Sequence, residues 1–233
     1  MIYFMLGFAP GIYWLLYFYK RDKLEPEPRK QIIIAYFAGI FIAIVIMLVQ
    51  LPIRSSFFVS AVLIAPVIEE LGKFLMVRTT VYKNKAFNEP MDGIVYASAV
   101  ALGFASIENG FYLLKAVNVS KDLLSNVLLT RSLLSVPGHA LFSSNWGIAL
   151  GEHKFFGKRS GSVVKGLLLA ILLHGLFNYL CFIRYYSAIG LLILLAIMWY
   201  LINRKIKRAL KESPFLRKSI EPPRNETEIE VDI

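Results

Sequence analysis

The chain has 233 residues, of which 57% are hydrophobic and 14% aromatic, and its mean hydropathy is +0.58. Soluble domains are nearer to about 45–50% apolar, and here the excess falls in long blocks, which indicates a protein embedded in a bilayer. The net charge of +10 does not indicate a nucleic-acid partner, because the basic residues lie between and after the apolar blocks. A single cysteine, Cys181, excludes an internal disulfide and a cysteine-based metal cluster.

Seven apolar blocks are long enough to cross a membrane as helices, at roughly 20 residues each. They cover residues 2–19, 31–52, 57–80, 91–114, 132–151, 163–183 and 186–203. The first block lacks a basic leader and a small-residue cleavage site, so it is interpreted as a retained span. The predicted fold class is all-α, a polytopic membrane protein with about seven transmembrane helices. Residues 1–203 form the membrane domain, and residues 204–233 form a cytoplasmic basic segment with a disordered tail.

The distribution of lysine and arginine predicts the orientation of these helices. Twenty of the 26 basic residues fall in the loops after the first, third and fifth blocks or in the tail. Five fall in the other loops, and Lys73 lies inside a block. Because cytoplasmic loops carry the excess of positive charge, we expect a cell-membrane protein with its N-terminus outside and its C-terminus in the cytoplasm.

Polar side chains within the apolar blocks are concentrated on the third to sixth blocks. Ionisable groups at membrane depth cost at least a few kcal/mol each and mark functional sites. The first, second and seventh blocks carry almost none, so four consecutive helices form the predicted working core. The polar residues of this core are Glu69, Glu70, Lys73, Asp92, Glu108, Asn109, His139, Asn145, His174 and Asn178.

The segment APVIEELGKF places two adjacent glutamates in the third block. Glu69 and Lys73 are four residues apart and can pair on one helix face, whereas Glu70 points about 100° away. Adjacent carboxylates in a low dielectric cannot both ionise cheaply, so one of them is a candidate general acid or base. The alternative is a structural ion pair between Glu69 and Lys73 without a catalytic role.

Histidines on two other blocks extend this polar set. His174 and Asn178 share a helix face and can bind a metal, orient a water or stabilise an oxyanion. His139 follows Pro137 and Gly138, and its alternative interpretation is a packing residue. Asp92 opens the fourth block and is interpreted as a helix cap.

Several protease motifs are absent from the sequence. There is no H-E-x-x-H, which argues against a zincin-type or site-2-type enzyme, and no G-x-S-x-G, which argues against a rhomboid-like serine nucleophile. An ion-coupled transporter can use the same buried groups, although no inverted repeat and no paired broken helices are evident.

Four segments resemble the PrsW family of membrane proteases in order and spacing: APVIEELGKF, MDGIVYASAVALGFASIEN, PGHALFSSNWGIALG and LLHGLFNY. The resemblance extends over about residues 5–203, and the family is distantly related to the CAAX-protease and bacteriocin-processing group. It implies a membrane-embedded endopeptidase that makes the first, extracytoplasmic cut in a single-span anti-sigma factor or a similar membrane-tethered regulator. The alternative within the wider group is a CAAX-type protease acting on prenylated proteins or peptides from the cytoplasmic side.

The resemblance also implies roles for residues. The family's glutamate pair matches Glu69 and Glu70, and its histidine matches His174. Where the wider group has F-x-x-x-H, this chain departs with Glu108, and His139 can supply the missing imidazole. The implied chemistry is a water activated either by glutamate and histidine alone or by zinc, for which glutamate, two histidines and a water are suitable ligands.

The resulting hypothesis is peptide hydrolysis in the bilayer, with no nucleic-acid partner. Glu70 is the preferred general base, and Asn178 steadies the oxyanion. The predicted catalytic residues are Glu69, Glu70, His174 and Asn178, and the supporting residues are Lys73, Glu108 and His139. The candidate metal ligands are Glu70, Glu108, His139 and His174.

Overall fold

The computed structural model describes residues 1–52, 55–157, 161–183 and 187–216. Within these residues the chain is helical and contains no strand. The helices are α1 (Ile2–Leu6), α2 (Phe8–Tyr19), α3 (Arg29–Gln50), α4 (Phe57–Val59), α5 (Ala65–Thr80), α6 (Pro90–Val117), α7 (Lys121–Thr130), α8 (Val136–Phe156), α9 (Gly161–Phe182) and α10 (Ser187–Lys211). Two π-helical turns, π1 (Ser60–Ile64) and π2 (Arg131–Ser135), join α4 to α5 and α7 to α8.

Among the described residues, five helical segments are long and apolar enough to cross a membrane: the continuous pair α1–α2, and α3, α6, α9 and α10. The other two predicted spans are π-interrupted helices. The third block is divided by π1, which leaves α5 with 16 residues, and α8 carries several polar side chains that lower its hydropathy. The all-α, multi-pass membrane fold is confirmed, and the count of about seven spans includes these two polar helices.

Helix α6 is the centre of the fold, and every residue from Pro90 to Ile107 in it is buried. Glycines let its neighbours approach closely. A Cβ built on Gly103 would lie 1.9 Å from the carbonyl oxygen of Tyr36 on α3, and one on Gly93 would lie 2.1 Å from that of Gly147 on α8. The backbones of α3 and α8 therefore contact α6 directly, as small residues allow between membrane helices.

Two elements differ from the prediction. Helix α7, in a stretch expected to be a loop, begins with Ser120, whose side chain accepts a hydrogen bond from the backbone N–H of Leu123. Helix α10 continues to Lys211, beyond the expected end at residue 203, because Ile206 and Ala209 extend its buried face. The disordered tail is predicted within residues 204–233, of which residues 217–233 lie outside the described residues. The two-residue gap at 184–185 between the sixth and seventh blocks predicts a tight hairpin, and it also lies outside the described residues.

Candidate active site

A cavity of about 550 Å³ lies between the helices that carry the predicted polar core. It extends toward the end of the bundle where α3 and α9 end and α4 begins, since Gln50, Phe57 and Phe182 line it there. Its polar lining includes Arg131 of π2 and five residues of the predicted polar core from α5, α6, α8 and α9: Glu69, Glu108, His139, His174 and Asn178. The structure therefore brings together side chains from the four helices that the sequence singles out.

Lys73 is fully buried at the base of this site and contacts three site residues. Its Nζ lies 2.8 Å from Glu70 Oε1, 3.0 Å from His139 Nδ1 and 3.6 Å from Glu69 Oε2. It also lies over the ring of Phe104, 4.4 Å from the centroid. Lys73 pairs with Glu69, as the spacing predicts, but it pairs more closely with Glu70, which the spacing argument left free of Lys73. Residues three apart share a helix face as readily as residues four apart.

Glu70 is enclosed by donors. Its Oε1 accepts from Lys73 Nζ and His174 Nδ1, at 2.8 and 3.2 Å. Its Oε2 accepts from Ser143 Oγ at 2.7 Å and from Trp146 Nε1 at 3.0 Å. The side chain is 0% exposed, and Glu70 is not among the described residues that line the cavity. Three of these donors come from α8 and α9 and the fourth, Lys73, from the same helix as Glu70, so this carboxylate is held in a fixed position at the back of the site.

Glu69 has the opposite surroundings. It lines the cavity, and its Oε2 has no hydrogen-bond partner among the described residues. His174 Nε2 lies 3.9 Å from this oxygen. A buried carboxylate oxygen without a donor is costly, so this atom is where a water, a proton or a cation is needed.

The two histidines are held in defined tautomers. Because a carboxylate only accepts, His174 Nδ1 donates to Glu70, and in the neutral imidazole Nε2 is then the acceptor that faces Glu69. Because the Lys73 ammonium only donates, His139 Nδ1 accepts, and its Nε2 donates to Glu108 Oε2 at 3.0 Å. The ring of Phe142 stacks on His174, with centroids 4.8 Å apart and planes inclined by 16°, and fixes its orientation further.

Arg131 closes the cavity on the side of α6. Its guanidinium donates to Glu108 Oε2 at 2.7 Å and to Asn109 Oδ1 at 3.1 Å, and it lies over the ring of Tyr112. Glu108, which departs from the pattern of the wider group, is therefore shared between His139 and Arg131.

Each π-helical turn is followed by a proline, Pro66 after π1 and Pro137 after π2. Proline has no N–H to give to the carbonyl of the preceding turn. In a π-helix the bond runs from residue i+5 to residue i. Ala61 and Ser132 each lie five residues before the proline, so their carbonyls lose this donor.

Side chains from other helices satisfy these two carbonyls. Asn178 Nδ2 donates to Ala61 O at 2.8 Å, and Trp14 Nε1 donates to Ser132 O at 2.9 Å. Both π-helical turns lie directly before site residues, Glu69 in the first case and His139 in the second. Asn178 and Trp14 thus hold the helices that carry the site.

A metal ion fits part of the donor set. One ligand atom each from Glu69, His139 and His174 lie within 4.8 Å of one another. Glu69 Oε2 has no hydrogen-bond partner among the described residues, and His174 Nε2 is available as a ligand in the neutral imidazole. The other ring nitrogen of His174 contacts Glu70, and metal-bound histidines commonly have a carboxylate in that position. Both nitrogens of His139 are engaged, so metal binding there requires its contact with Lys73 or Glu108 to break.

Sequence reasoning did not identify Ser143, Trp146 and Phe142. They look like ordinary residues of an apolar helix, although the i, i+3 spacing of Ser143 and Trp146 places them on one face with His139. The sequence also did not reveal Trp14, which lies 118 residues from its acceptor.

The chain resembles known proteins along most of its length. A family profile described as "PrsW family intramembrane metalloprotease" matches residues 27–202. The chain is 36% identical to Protease PrsW of Geobacillus kaustophilus over 213 residues, which are 87% of this chain and 90% of that protein. It is 33% identical to Protease PrsW of Bacillus subtilis, over 87% of this chain and 93% of that protein. The corresponding values for Protease PrsW of Clostridioides difficile are 31%, 86% and 87%. No solved structure matches the chain. By these matches and by its buried glutamate–histidine site, the chain is a membrane peptidase that belongs to the PrsW family of intramembrane metalloproteases.

Proposed function

We propose that this peptidase cleaves a membrane-tethered protein with a water activated by Glu69 and His174. The observation that carries the proposal is the unpartnered Oε2 of Glu69, which lies in the cavity 3.9 Å from His174 Nε2. Two acceptors at this separation can hold one water at ordinary hydrogen-bond lengths of about 2.8 Å. Such a water donates a hydrogen to each and directs its own lone pair at a substrate carbonyl.

In this mechanism Glu69 is the general base. It takes a proton from the attacking water as the new C–O bond forms, and passes that proton to the leaving amine as the C–N bond breaks. Glu70 fixes the tautomer of His174 and neutralises Lys73. This reverses the division of roles expected from helix spacing, because Glu70 has four donors and no access to the cavity.

Two groups of the cavity are proposed to stabilise the oxyanion. Asn178 Nδ2 uses one N–H on the carbonyl of Ala61 and retains a second. The Arg131 guanidinium lies at the cavity wall and carries more donors than its contacts with Glu108 and Asn109 use. Donors preorganised in a site with little water are effective stabilisers of developing negative charge.

For the metal implied by the family description we propose zinc, which Glu69, His139 and His174 would hold in place of the direct hydrogen bonds from the water to Glu69 Oε2 and His174 Nε2. Carboxylate and imidazole donors suit zinc, and three protein ligands leave a position open for water. A bound zinc ion would help ionise the attacking water and polarise the scissile carbonyl. This set of zinc ligands differs from the one expected from the sequence, because Glu69 takes the place of Glu70 and Glu108.

The proposed substrate is a single-span regulator of the anti-sigma factor type. The cavity extends toward the end of the bundle whose loops carry few lysines and arginines, which the positive-inside rule assigns to the outside. A helical substrate must unwind locally there, because a helix does not expose its peptide carbonyls to attack. This supports a first cut near the extracytoplasmic end of the substrate helix.

The test is cleavage in vesicles that contain the full chain and single-span anti-sigma factors from the same genome, tagged at both ends. We expect fragments cut near the extracytoplasmic end, and rates at least about 100-fold lower for Glu69→Gln and His174→Ala. Asp122→Asn, an exposed acid on α7, is the matched control and should cleave at the parental rate. Parental rates in the Glu69 and His174 variants would overturn the mechanism, and fragments cut at the cytoplasmic end would overturn the proposed side of cleavage.

A further inference from the structure

A second polar cluster lies at the opposite end of α6 from the candidate active site. Asp92, in the first turn of α6, is sixteen residues from Glu108, which corresponds to about 24 Å along the helix. Around it lie Asp22 and Glu27 from the loop between α2 and α3, and Glu89 from the residue before α6. Asp92 falls in one of the segments that carry the family resemblance, but neither the resemblance nor the proposed mechanism gives these four carboxylates a role.

These carboxylates are buried and largely without partners. Asp22 is 2% exposed, Glu27 and Glu89 are 1% exposed and Asp92 is 0% exposed. Both oxygens of Asp22, Oε1 of Glu27 and Oδ1 of Asp92 have no hydrogen-bond partner among the described residues, and the Glu89 side chain has only a capping contact with the backbone N–H of Asp92. Helix capping does not account for these four carboxylate oxygens.

The hydrogen bonds of the cluster are those of the helix cap and one from a tyrosine. Asp92 Oδ2 accepts from the backbone N–H groups of Asn88 and Glu89, at 2.5 and 2.8 Å, and Tyr96 Oη donates to Glu27 Oε2. The Glu89 side chain completes a capping box with the backbone N–H of Asp92. Helix capping therefore explains one oxygen of Asp92 and the position of Glu89, and nothing of Asp22.

Positive charge is also missing from the cluster. Among residues 1–52, 55–157, 161–183 and 187–216, no lysine or arginine forms an ion pair with these four carboxylates. Lys154, the nearby base whose charge acts on Asp92 and Glu27, directs its Nζ to the carbonyl oxygens of Tyr82 and Asn84. Buried charges of one sign need a counterion, because the cost of desolvating them is several kcal/mol each.

The geometry matches a single ion. One oxygen each from Asp22, Glu89 and Asp92 lie within 4.8 Å of one another. Two ligands of one Ca²⁺, each at about 2.3–2.6 Å from the ion, are at most about 5 Å apart, so these oxygens can share an ion after small adjustments. The donors are all carboxylate oxygens, which favour hard cations over zinc.

We propose that Asp22, Glu89 and Asp92 form a second metal site that binds a hard divalent cation of the Mg²⁺, Ca²⁺ or Mn²⁺ class, with Glu27 beside it. The cation joins the loop after α2 to the start of α6 and neutralises the cluster.

Binding is tested with Mn²⁺ and the full-length protein in detergent, stripped with chelator and then freed of it. The Glu69→Gln/His174→Ala double variant serves as the background, so that the candidate active site contributes no binding. We expect about one tightly bound Mn²⁺ per chain by loss of the free Mn²⁺ signal in electron paramagnetic resonance. We also expect a rise in the unfolding temperature with Mn²⁺, Mg²⁺ or Ca²⁺, since a ligand of the folded state stabilises it.

Adding Asp22→Asn and Glu89→Gln to this background should abolish Mn²⁺ binding and, without metal, raise the unfolding temperature, because repulsion is removed. Asp122→Asn is the matched control and should leave both measurements unchanged. Asp22→Asn alone should weaken Mn²⁺ binding at least tenfold, and this single variant decides the question if the quadruple variant does not fold. The proposal is overturned if the background binds no Mn²⁺ and gains no stability, or if binding survives the two cluster substitutions.

Discussion

Glu69 and Glu70 are neighbours in the chain, yet their carboxylates face unlike surroundings. Glu70 is surrounded by four donors, and Glu69 ends in an oxygen with no donor, in the cavity. A carboxylate that is fully hydrogen-bonded stabilises the fold, whereas one with a vacant lone pair is available to a water or a cation. Substitutions of the two glutamates should therefore have different effects when stability and activity are measured on the same variant.

We predict that Glu69→Gln lowers the cleavage rate by about 10²–10⁴-fold while leaving the unfolding temperature unchanged or higher. Glu70→Gln should also lower the rate, and in addition destabilise the protein by about 3–5 kcal/mol, because Lys73 loses its closest ion-pair partner. Cleavage assays and thermal unfolding of the purified variants measure the two effects. Equal destabilisation by the two substitutions would contradict the division of roles.

Removal of the proposed zinc is a second prediction at this scale. Chelation should reduce cleavage, and stoichiometric Zn²⁺ should restore it. Zinc content, measured by mass spectrometry after gel filtration, should be about one per chain and should be lost in Glu69→Gln and His174→Ala. Glu70→Gln should retain part of the zinc, because Glu70 only orients His174. If protein shown to contain no zinc still cleaves the substrate at the full rate, the zinc proposal is wrong and the metal-free mechanism stands.

At the scale of elements, the two π-helical turns set the positions of the site residues. Pro66 and Pro137 each lack the backbone N–H that would bond to a carbonyl in the π-helical turn. The side chains of Asn178 and Trp14, from other helices, donate to those carbonyls instead. An unsatisfied carbonyl inside a membrane protein costs several kcal/mol, so each replacement stabilises the turn before a site residue.

We predict that Trp14→Phe destabilises the protein by about 1–3 kcal/mol and lowers the turnover number more than it changes KM. The substitution keeps an aromatic ring against Trp199 but leaves the Ser132 carbonyl without its donor. Trp199→Phe is the matched control, since Trp199 belongs to the same aromatic cluster and makes no hydrogen bond among the described residues. Equal effects of the two substitutions would indicate that only packing is involved.

Much of the site could be predicted from sequence, and the remainder depends on long-range contacts. Polar residues in apolar blocks single out the four helices that line the cavity, because such residues are costly unless they meet. The closest partner of Lys73 could not be predicted, because both Glu69 and Glu70 are within its reach along the helix. The position of its Nζ also depends on a hydrogen bond to His139, which is 66 residues away in the sequence. The π-helical turns could not be predicted either. A proline is compatible with a kink, a break or a wider turn, and contacts with the neighbouring helices determine which of these forms.

At the scale of the whole molecule, the fold depends on direct backbone contact between α6 and its neighbours. We predict that Gly103→Ala lowers the unfolding temperature and the yield of folded protein, because its Cβ would lie 1.9 Å from the Tyr36 carbonyl. Overpacking of this kind costs about 1–3 kcal/mol or more. Gly190→Ala is the matched control, since the added Cβ meets only the flexible end of Leu180, at 3.1 Å. Similar losses in both variants would argue against α6 as the packing centre.

The proposed orientation can be tested with the native chain. Cys181 is the only cysteine, is exposed, and lines the cavity near the end of α9. We predict that a membrane-impermeant maleimide labels Cys181 in intact cells, and that Cys181→Ser abolishes the labelling. Labelling only after the cells are opened would reverse the orientation.

The hydrogen bond from Trp14 to the Ser132 carbonyl has a consequence for the minimal working unit of the protein. The family profile begins at residue 27, after α2 has ended, yet α2 supplies the donor for the turn that precedes His139. A protein trimmed to residues 27–202 would retain the candidate catalytic side chains and lose part of the support that aligns them. Engineered versions of this enzyme, and chimaeras with its relatives, should therefore exchange α2 together with π2 and α8 rather than at the boundary of the family match.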